Sequence, residues 1–206
     1  MGSDRPVCPL CIKSFPVLGG NLCRSCGRPL ISEVNVCTMC RNRAFQFDSH
    51  RSLFEYRGGV REMLFQLKFR GRRRAAVIMA DLFAEELVRS YDGFPVVPVP
   101  SRRGSLLNSD HIGYVCRYLK RRHKVRVFKC LRRSGGVPQK GLGYEERLVN
   151  LGKQLVLLRG PEKDSTKVVL IDDIFTTGAT ADECCRRLKD GGFRVVHVLT
   201  FALDLP

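Results

Sequence analysis

Residues 168–180 read Val-Val-Leu-Ile-Asp-Asp-Ile-Phe-Thr-Thr-Gly-Ala-Thr, and this string constrains the chain more than any other. Four apolar residues, Val168 to Ile171, end in two adjacent acids, Asp172 and Asp173, and a turn of small residues follows, Thr176, Thr177, Gly178 and Ala179. The order reads strand, loop, helix. Small residues let backbone N–H groups approach a phosphate closely, and Gly178 is suited to a positive φ. Thr180 and Glu183 have the spacing of a capping box, which predicts a helix start at Thr180. A helix start presents N–H groups and the positive end of the helix dipole, an anion site. The two carboxylates beside it suit ribose hydroxyls, which donate hydrogen bonds to them, with Mg²⁺ nearby. The loop reads as a cradle for a sugar phosphate.

Cysteine is the second signal. The chain has ten, and six form three Cys-x-x-Cys pairs in the first 40 residues: Cys8/Cys11, Cys23/Cys26 and Cys37/Cys40. Two thiolates three residues apart on a knuckle face one metal ion, and two such pairs close a tetrahedral Zn²⁺ site. Cys23, Cys26, Cys37 and Cys40 are the favoured set, with Gly27 fitting the tight turn after Cys26. It stays open whether Cys8 and Cys11 replace either pair. A disulfide framework is disfavoured, because Met1 to Leu10 has no apolar core of signal-peptide length, and a cytoplasmic location is expected. Cys116, Cys130, Cys184 and Cys185 have no ligand spacing and read as small core residues.

Length and charge set outer bounds. Of 206 residues, a metal-stapled module over 1–45 leaves 46–206 for one α/β domain. No run approaches the length of an apolar membrane span, so no membrane insertion is expected. The formal charge of +16 is unevenly placed: residues 91–140 hold 12 Lys and Arg against 2 acids, while 141–206 hold 9 against 10. Two basic segments, 68–74 and 117–133, suit a polyanion such as single-stranded nucleic acid, although few aromatic residues interleave with them.

The remaining pattern alternates strand and helix. Strands are expected at Ser52 to Tyr56, Val96 to Val99, Val125 to Leu131, Leu155 to Leu158, Val168 to Asp172 and Arg194 to Phe201. Helical stripes run over Val60 to Phe69, Ala75 to Val88, Ile112 to Leu119 and Ala181 to Lys189. Ser134 to Asn150 reads as a Gly-rich loop with a short helix near Glu145 to Leu148. Such alternation argues a parallel sheet flanked by helices, with ligand loops at the carboxyl ends of the strands. Ser101, Arg102 and Arg103 form a small basic loop at one such end. His197 reads as a satisfied core histidine, and His111, near that loop, is the one histidine worth testing for chemistry.

The string at 168–180 resembles the phosphoribosyl-pyrophosphate (PRPP) motif of type I phosphoribosyltransferases, and every position of that pattern is filled. The whole chain resembles the ComF family (competence protein F-like), which joins a Cys-x-x-Cys zinc module to such a domain. Cys23-Arg-Ser-Cys-Gly-Arg-Pro-Leu, Leu67-Lys-Phe-Arg-Gly, Val97-Pro-Val-Pro and the spaced Leu131-Arg-Arg, Gln139, Leu142, Arg147 and Asn150 match its segments. The chain departs at Leu106 to Ile112, which lacks the family's Arg-Gly-Phe-Asn-Gln run, and in having three Cys pairs where full members often carry four. The resemblance implies that Asp172 and Asp173 are the catalytic-site acids on the ribose 2′ and 3′ hydroxyls. It implies that Thr176, Thr177, Gly178, Ala179 and Thr180 hold the 5′-phosphate, with Ser101, Arg102 and Arg103 at the pyrophosphate loop. It further implies structural Zn²⁺, Mg²⁺ with PRPP, single-stranded DNA handling in natural transformation and partners in the competence machinery. The alternative is turnover: transfer of phosphoribose from PRPP to a nucleobase or amine. The zinc and PRPP modules are expected to be separable, so that chelation loosens 1–45 while PRPP affinity is kept.

Overall fold

A computed structural model describes residues 9–31, 34–101, 110–134, 154–162 and 166–205. Arg102 and Arg103, Cys8, and all but Ser134 of the loop expected over Ser134 to Asn150 lie outside them.

The centre is a four-stranded parallel sheet of β1 (Ser49–Glu55), β2 (Val96–Pro98), β5 (Lys167–Phe175) and β6 (Val195–Leu203), in the order β1-β6-β5-β2. The near-continuous apolar runs of β5 and β6 put them in the middle, where both faces are covered. At the edge, β1 alternates buried and more exposed positions. Parallel neighbours need crossovers, supplied by α2 (Gly58–Phe69), α3 (Arg73–Ser90), α4 (His111–Arg122) and the helix after β5, here α5 (Ala179–Asp190). A short helix, α1 (Pro9–Lys13), opens the described chain.

The two faces of β5 sort the core. Val169 and Ile171 pack with α2, α3 and α4, whereas Val168 and Leu170 pack with α5. The cysteine-rich segment joins the second group: Cys23, Cys26, Cys40 and Phe47 are buried in one cluster with Phe175, Ala179, Cys184 and Cys185. Cys116, Cys130, Cys184 and Cys185 are buried, as expected of core residues.

Two strand expectations need correction. Val125 to Leu131 is not one strand. Val127 makes a single parallel bridge to Val96, with the N–H of Phe128 donating to the Val96 carbonyl at 2.8 Å. The chain then leaves the sheet, and β3 (Leu131–Arg133) pairs antiparallel with β4 (Leu155–Leu157). Alternating basic and apolar residues mark an extended chain with one buried side, but they do not say which neighbour it pairs with. Likewise the strand at Leu155 lies outside the parallel sheet.

Candidate functional site

The acids of the motif stand where β5 runs out. This strand continues past Asp172 to Phe175, so both acids are held by sheet backbone rather than by a loose turn. Successive strand residues point to opposite faces, so the two carboxylates start from opposite faces of the sheet. Each binds locally: the N–H of Asp173 donates to Asp172 Oδ1 at 2.8 Å, and the N–H of Ile174 donates to Asp173 Oδ1 at 2.7 Å.

Their environments differ sharply. Asp173 Oδ2 receives Lys68 Nζ at 2.5 Å and His111 Nε2 at 2.6 Å. Burial alone would raise the Asp173 pKa, but the His111 hydrogen bond and the Lys68 charge outweigh it and hold the carboxyl well below the usual range. The same pairing keeps Lys68 above its ordinary value against the pull of burial. Asp172 has no such cation within bonding distance among the described residues, and burial together with the neighbouring Asp173 charge pushes its pKa up to about 7. Near neutrality the pair therefore carries one firmly ionised acid and one poised near titration.

These groups line a cavity of about 410 Å³ with Ser101, Arg133, Thr176 and Thr180. The floor of the loop is shaped by Gly178, whose φ of 83° lies in the left-handed region. A Cβ there would stand 2.7 Å from Phe175 and 3.0 Å from Phe45, so glycine is required both by conformation and by space. Gly178 is the N-cap of α5, which starts at Ala179 with no side-chain cap bond. The expected capping box does not form. Because the N-cap is Gly178 and not Thr180, the helix starts two residues earlier, Thr180 is inside its first turn and faces the cavity, and Glu183 is bound instead by Arg186 and Arg187 at 2.7–2.9 Å. The helix opening is thus left to its backbone N–H groups, which suits an anion.

Sequence reasoning placed Asp172, Asp173, Ser101 and Thr176 to Thr180 in this region, and the fold brings them together. It assigned Lys68 to an exposed basic cluster, whereas Lys68 turns inward to Asp173. The position of Lys68 in Leu67-Lys-Phe-Arg-Gly, at the end of an amphipathic helix, was the available signal. His111 was singled out only by its nearness to the loop; Asp110 caps α4 through the N–H of Gly113 at 3.0 Å and so sets His111 at the cavity wall. His197 has its partners as expected, bonded to Ser49 Oγ at 2.7 Å and stacked on Phe94, but it is half-buried and not in the core.

The second cluster is metal-like. The Sγ atoms of Cys23, Cys26, Cys37 and Cys40 lie within 4.8 Å of one another, and Cys26 and Cys37 are 3.7 Å apart. Thiolates around a tetrahedral Zn²⁺ at 2.3 Å would stand about 3.8 Å apart, so the spacing fits. The knuckle closes through the Gly27 N–H to the Cys23 carbonyl and the Cys23 N–H to the Arg28 carbonyl, both 2.8 Å, with Gly27 at φ 69°. Burial works to raise the Cys23 thiol, but backbone N–H groups of Cys26, Cys37 and Ser25 bring it down to about 7. Burial and the neighbouring thiols push Cys26 up to about 11 and Cys40 higher still, a repulsion that a dication would relieve. Cys11 lies on α1, exposed and outside this set.

Comparison with known proteins agrees. No family model matches the chain. It is 28% identical over 214 residues to the competence protein ComFC of Bacillus subtilis (strain 168), an overlap of 97% of this chain and 84% of the relative. It is 25% identical over 204 residues to the competence protein ComFC of Streptococcus pneumoniae (strain ATCC BAA-255 / R6), covering 97% and 88%. Over nearly its whole length the chain is similar to these two ComFC proteins. The chain has a four-cysteine cluster and an α/β domain built on a parallel sheet flanked by helices. A crystal structure of a hypoxanthine phosphoribosyltransferase from Staphylococcus aureus aligns over 65% of each chain at 17% identity, with a TM-score of 0.41, a likeness too distant to bear on the site.

Outside the cavity, the basic segments meet. Arg72, Arg73 and Arg74 at the start of α3, and Arg117, Lys120 and Arg121 on α4, are exposed. Tyr114 joins them: its ring lies under the Arg73 guanidinium at 4.8 Å and the Arg117 guanidinium at 5.2 Å. Arg122 turns aside to Asp81. Phe69, exposed and lining the cavity, stands at the near end of this face. No helix among the described residues is long and apolar enough to cross a membrane.

Proposed function

We propose that this ComFC-like protein binds PRPP in the cavity at the carboxyl end of β5 and acts in DNA uptake during natural transformation. One observation carries the first part. Two strand-end acids of opposite character, Lys68 and His111 from separate helices, and a glycine-capped helix start all face one 410 Å³ cavity. In this reading the carboxylates accept hydrogen bonds from the ribose 2′ and 3′ hydroxyls, and the N–H groups of 176–180 hold the 5′-phosphate. Lys68 starts on Asp173 and has the reach and charge to follow a diphosphate. Mg²⁺ bound with PRPP would supply further charge against the diphosphate, with Asp172 free to ionise beside it. The four-thiolate cluster holds one structural Zn²⁺, with no position left open for water.

The part in DNA uptake rests on the ComFC relatives and on the basic face built by α3 and α4. That face carries an aromatic ring between two guanidiniums, an arrangement suited to phosphates and bases of a single strand.

The deciding experiment is calorimetric titration of PRPP with Mg²⁺ into the zinc-loaded protein and into Asp172→Asn/Asp173→Asn. Binding by the parent and none by the double variant is expected. Equal binding by both would remove the ribose assignment, and no binding by the parent would remove PRPP.

A further inference from the structure

The cysteine-rich segment does more than close a metal site, because its two exits run directly to the phosphate loop. On one side, Arg28 follows Cys26 by two residues. Its Nη2 donates to the Thr176 carbonyl at 3.4 Å and to the Asp204 carbonyl at 3.3 Å. Asp204 in turn donates its N–H to the Phe175 carbonyl at 2.9 Å. One guanidinium thus ties the first residue of the loop to the end of β6.

On the other side, five residues past Cys40, Phe45 packs beneath the loop. Its ring is edge-on to Phe175 and defines the space in which a Gly178 side chain would clash. The next N–H, of Gln46, donates to Asp182 Oδ1 in the first turn of α5 at 2.5 Å. Asp48 then clips the segment to β6 through the Val196 N–H at 2.8 Å and to α5 through Lys189. A third link is His50, whose ring stacks on Phe175 at 3.8 Å between centroids. Its Nδ1 must carry the proton, since it donates to the Cys26 carbonyl at 2.9 Å.

The phosphate loop therefore has its left-handed turn at Gly178 braced from below and from one side, and both braces start at metal-binding cysteines. We propose that Arg28 and Phe45 are positioning residues for the phosphate loop, so that metal occupancy of the four-cysteine cluster and phosphate binding at 176–180 are energetically coupled. This rests on the reading of the loop as a phosphate site. Without a metal cross-link, the knuckle at 23–28 and the turn at 37–40 lose their mutual anchor, and the N–H groups of the loop lose their convergence. Linkage makes the effect reciprocal: whatever factor metal loading gives to phosphate affinity, the phosphate ligand gives to metal affinity. This coupling is the opposite expectation to two separable modules, and PRPP titration of the chelator-treated protein decides between them.

The test uses the full-length zinc-loaded chain. PRPP with Mg²⁺ is titrated into the parent, the chelator-treated parent, Arg28→Ala and Arg28→Lys, and hydrogen exchange is followed over 175–182 in each. Loss of a hydrogen-bonding guanidinium corresponds to about a fivefold weakening. Arg28→Ala should show that weakening and faster exchange at 177–180, with parental melting temperature and zinc content. Arg28→Lys should recover part of it. Release of zinc to a chromophoric chelator should require more chelator when PRPP is bound, by the factor that chelation costs in PRPP affinity. Phe45→Leu gives a second route to the same exchange signature. Unchanged PRPP affinity and unchanged exchange in Arg28→Ala would overturn the coupling. If the parent binds no PRPP, the ligand reading fails separately, and the exchange of 177–180 in Arg28→Ala still decides whether the brace exists.

Discussion

The two acids at the end of β5 should respond oppositely to the same isosteric change, and the difference should depend on pH. Asp172 has its folded-state pKa raised from 3.8 to about 7. A raised folded value means that its stabilising contribution is present below the unfolded pKa and is lost as pH rises through the folded one. Between pH 4 and 7 the folded protein therefore loses stability at this residue, by at most roughly 4 kcal/mol at 1.36 kcal/mol per unit. Asp172→Asn mimics the neutral acid. It should stabilise at both pH values, by about 1–2 kcal/mol at pH 5 and by about 3–4 kcal/mol at pH 8. Asp173 is the reverse case: its folded pKa is depressed by His111 and Lys68. Its contribution is present above the unfolded pKa and is lost only as pH falls through the depressed folded value. Asp173→Asn leaves the Lys68 ammonium facing an amide, and a loss of about 2–4 kcal/mol is expected at both pH 5 and pH 8. Urea denaturation of the parent and both single variants at the two pH values measures this. The reasoning fails if Asp172→Asn destabilises at pH 8, or if its effect is the same at pH 5 and pH 8. In the double variant the two effects oppose each other, so its net folding cost should be small.

Metal analysis should find about one zinc per chain, and Cys37→Ser should lower that content and the melting temperature together. Gly178→Ala should cost about 1–3 kcal/mol in unfolding free energy and abolish PRPP binding, because the left-handed turn has no space for a methyl group beside Phe175. Single-stranded DNA should bind without sequence preference and weaken tenfold or more between 50 and 200 mM salt in a fluorescence anisotropy titration. Replacing Arg117, Lys120 and Arg121 together with Gln should flatten that salt dependence and leave PRPP affinity unchanged. Binding that ignores salt would count against the basic face.

Much of the fold was legible because its signals are local. The apolar run of β5 and the stripes of α2, α3 and α4 are written in consecutive residues, and so is the loop of small residues after Phe175. Spacing pointed to three knuckle pairs and favoured four of their six thiols, because a Cys-x-x-Cys knuckle fixes two ligand directions within one turn, and the fold sets Cys11 outside the cluster. The start of α5 differs from expectation by two residues for an equally local reason: a capping box and a glycine N-cap compete for the same turn. The competition is settled by Arg186 and Arg187, which take Glu183.

What could not be read were pairings set by the topology. Lys68 and Asp173 are 105 positions apart, and only the crossover of α2 over the sheet decides that Lys68 faces a carboxylate instead of solvent. A charged residue between Leu67 and Phe69 fits either surface of an amphipathic helix end, and five basic residues within 68–74 favoured the surface reading. The same holds for Arg28, which is separated from Thr176 by 148 positions. In sequence it is one more arginine in a basic chain. In the fold it stands where a metal knuckle meets a ligand loop, and its effect on that loop does not depend on net charge at all. A neutral donor reaching both carbonyls would do the same work, so the contribution of Arg28 to phosphate affinity should persist at salt concentrations that screen the basic face of α3 and α4.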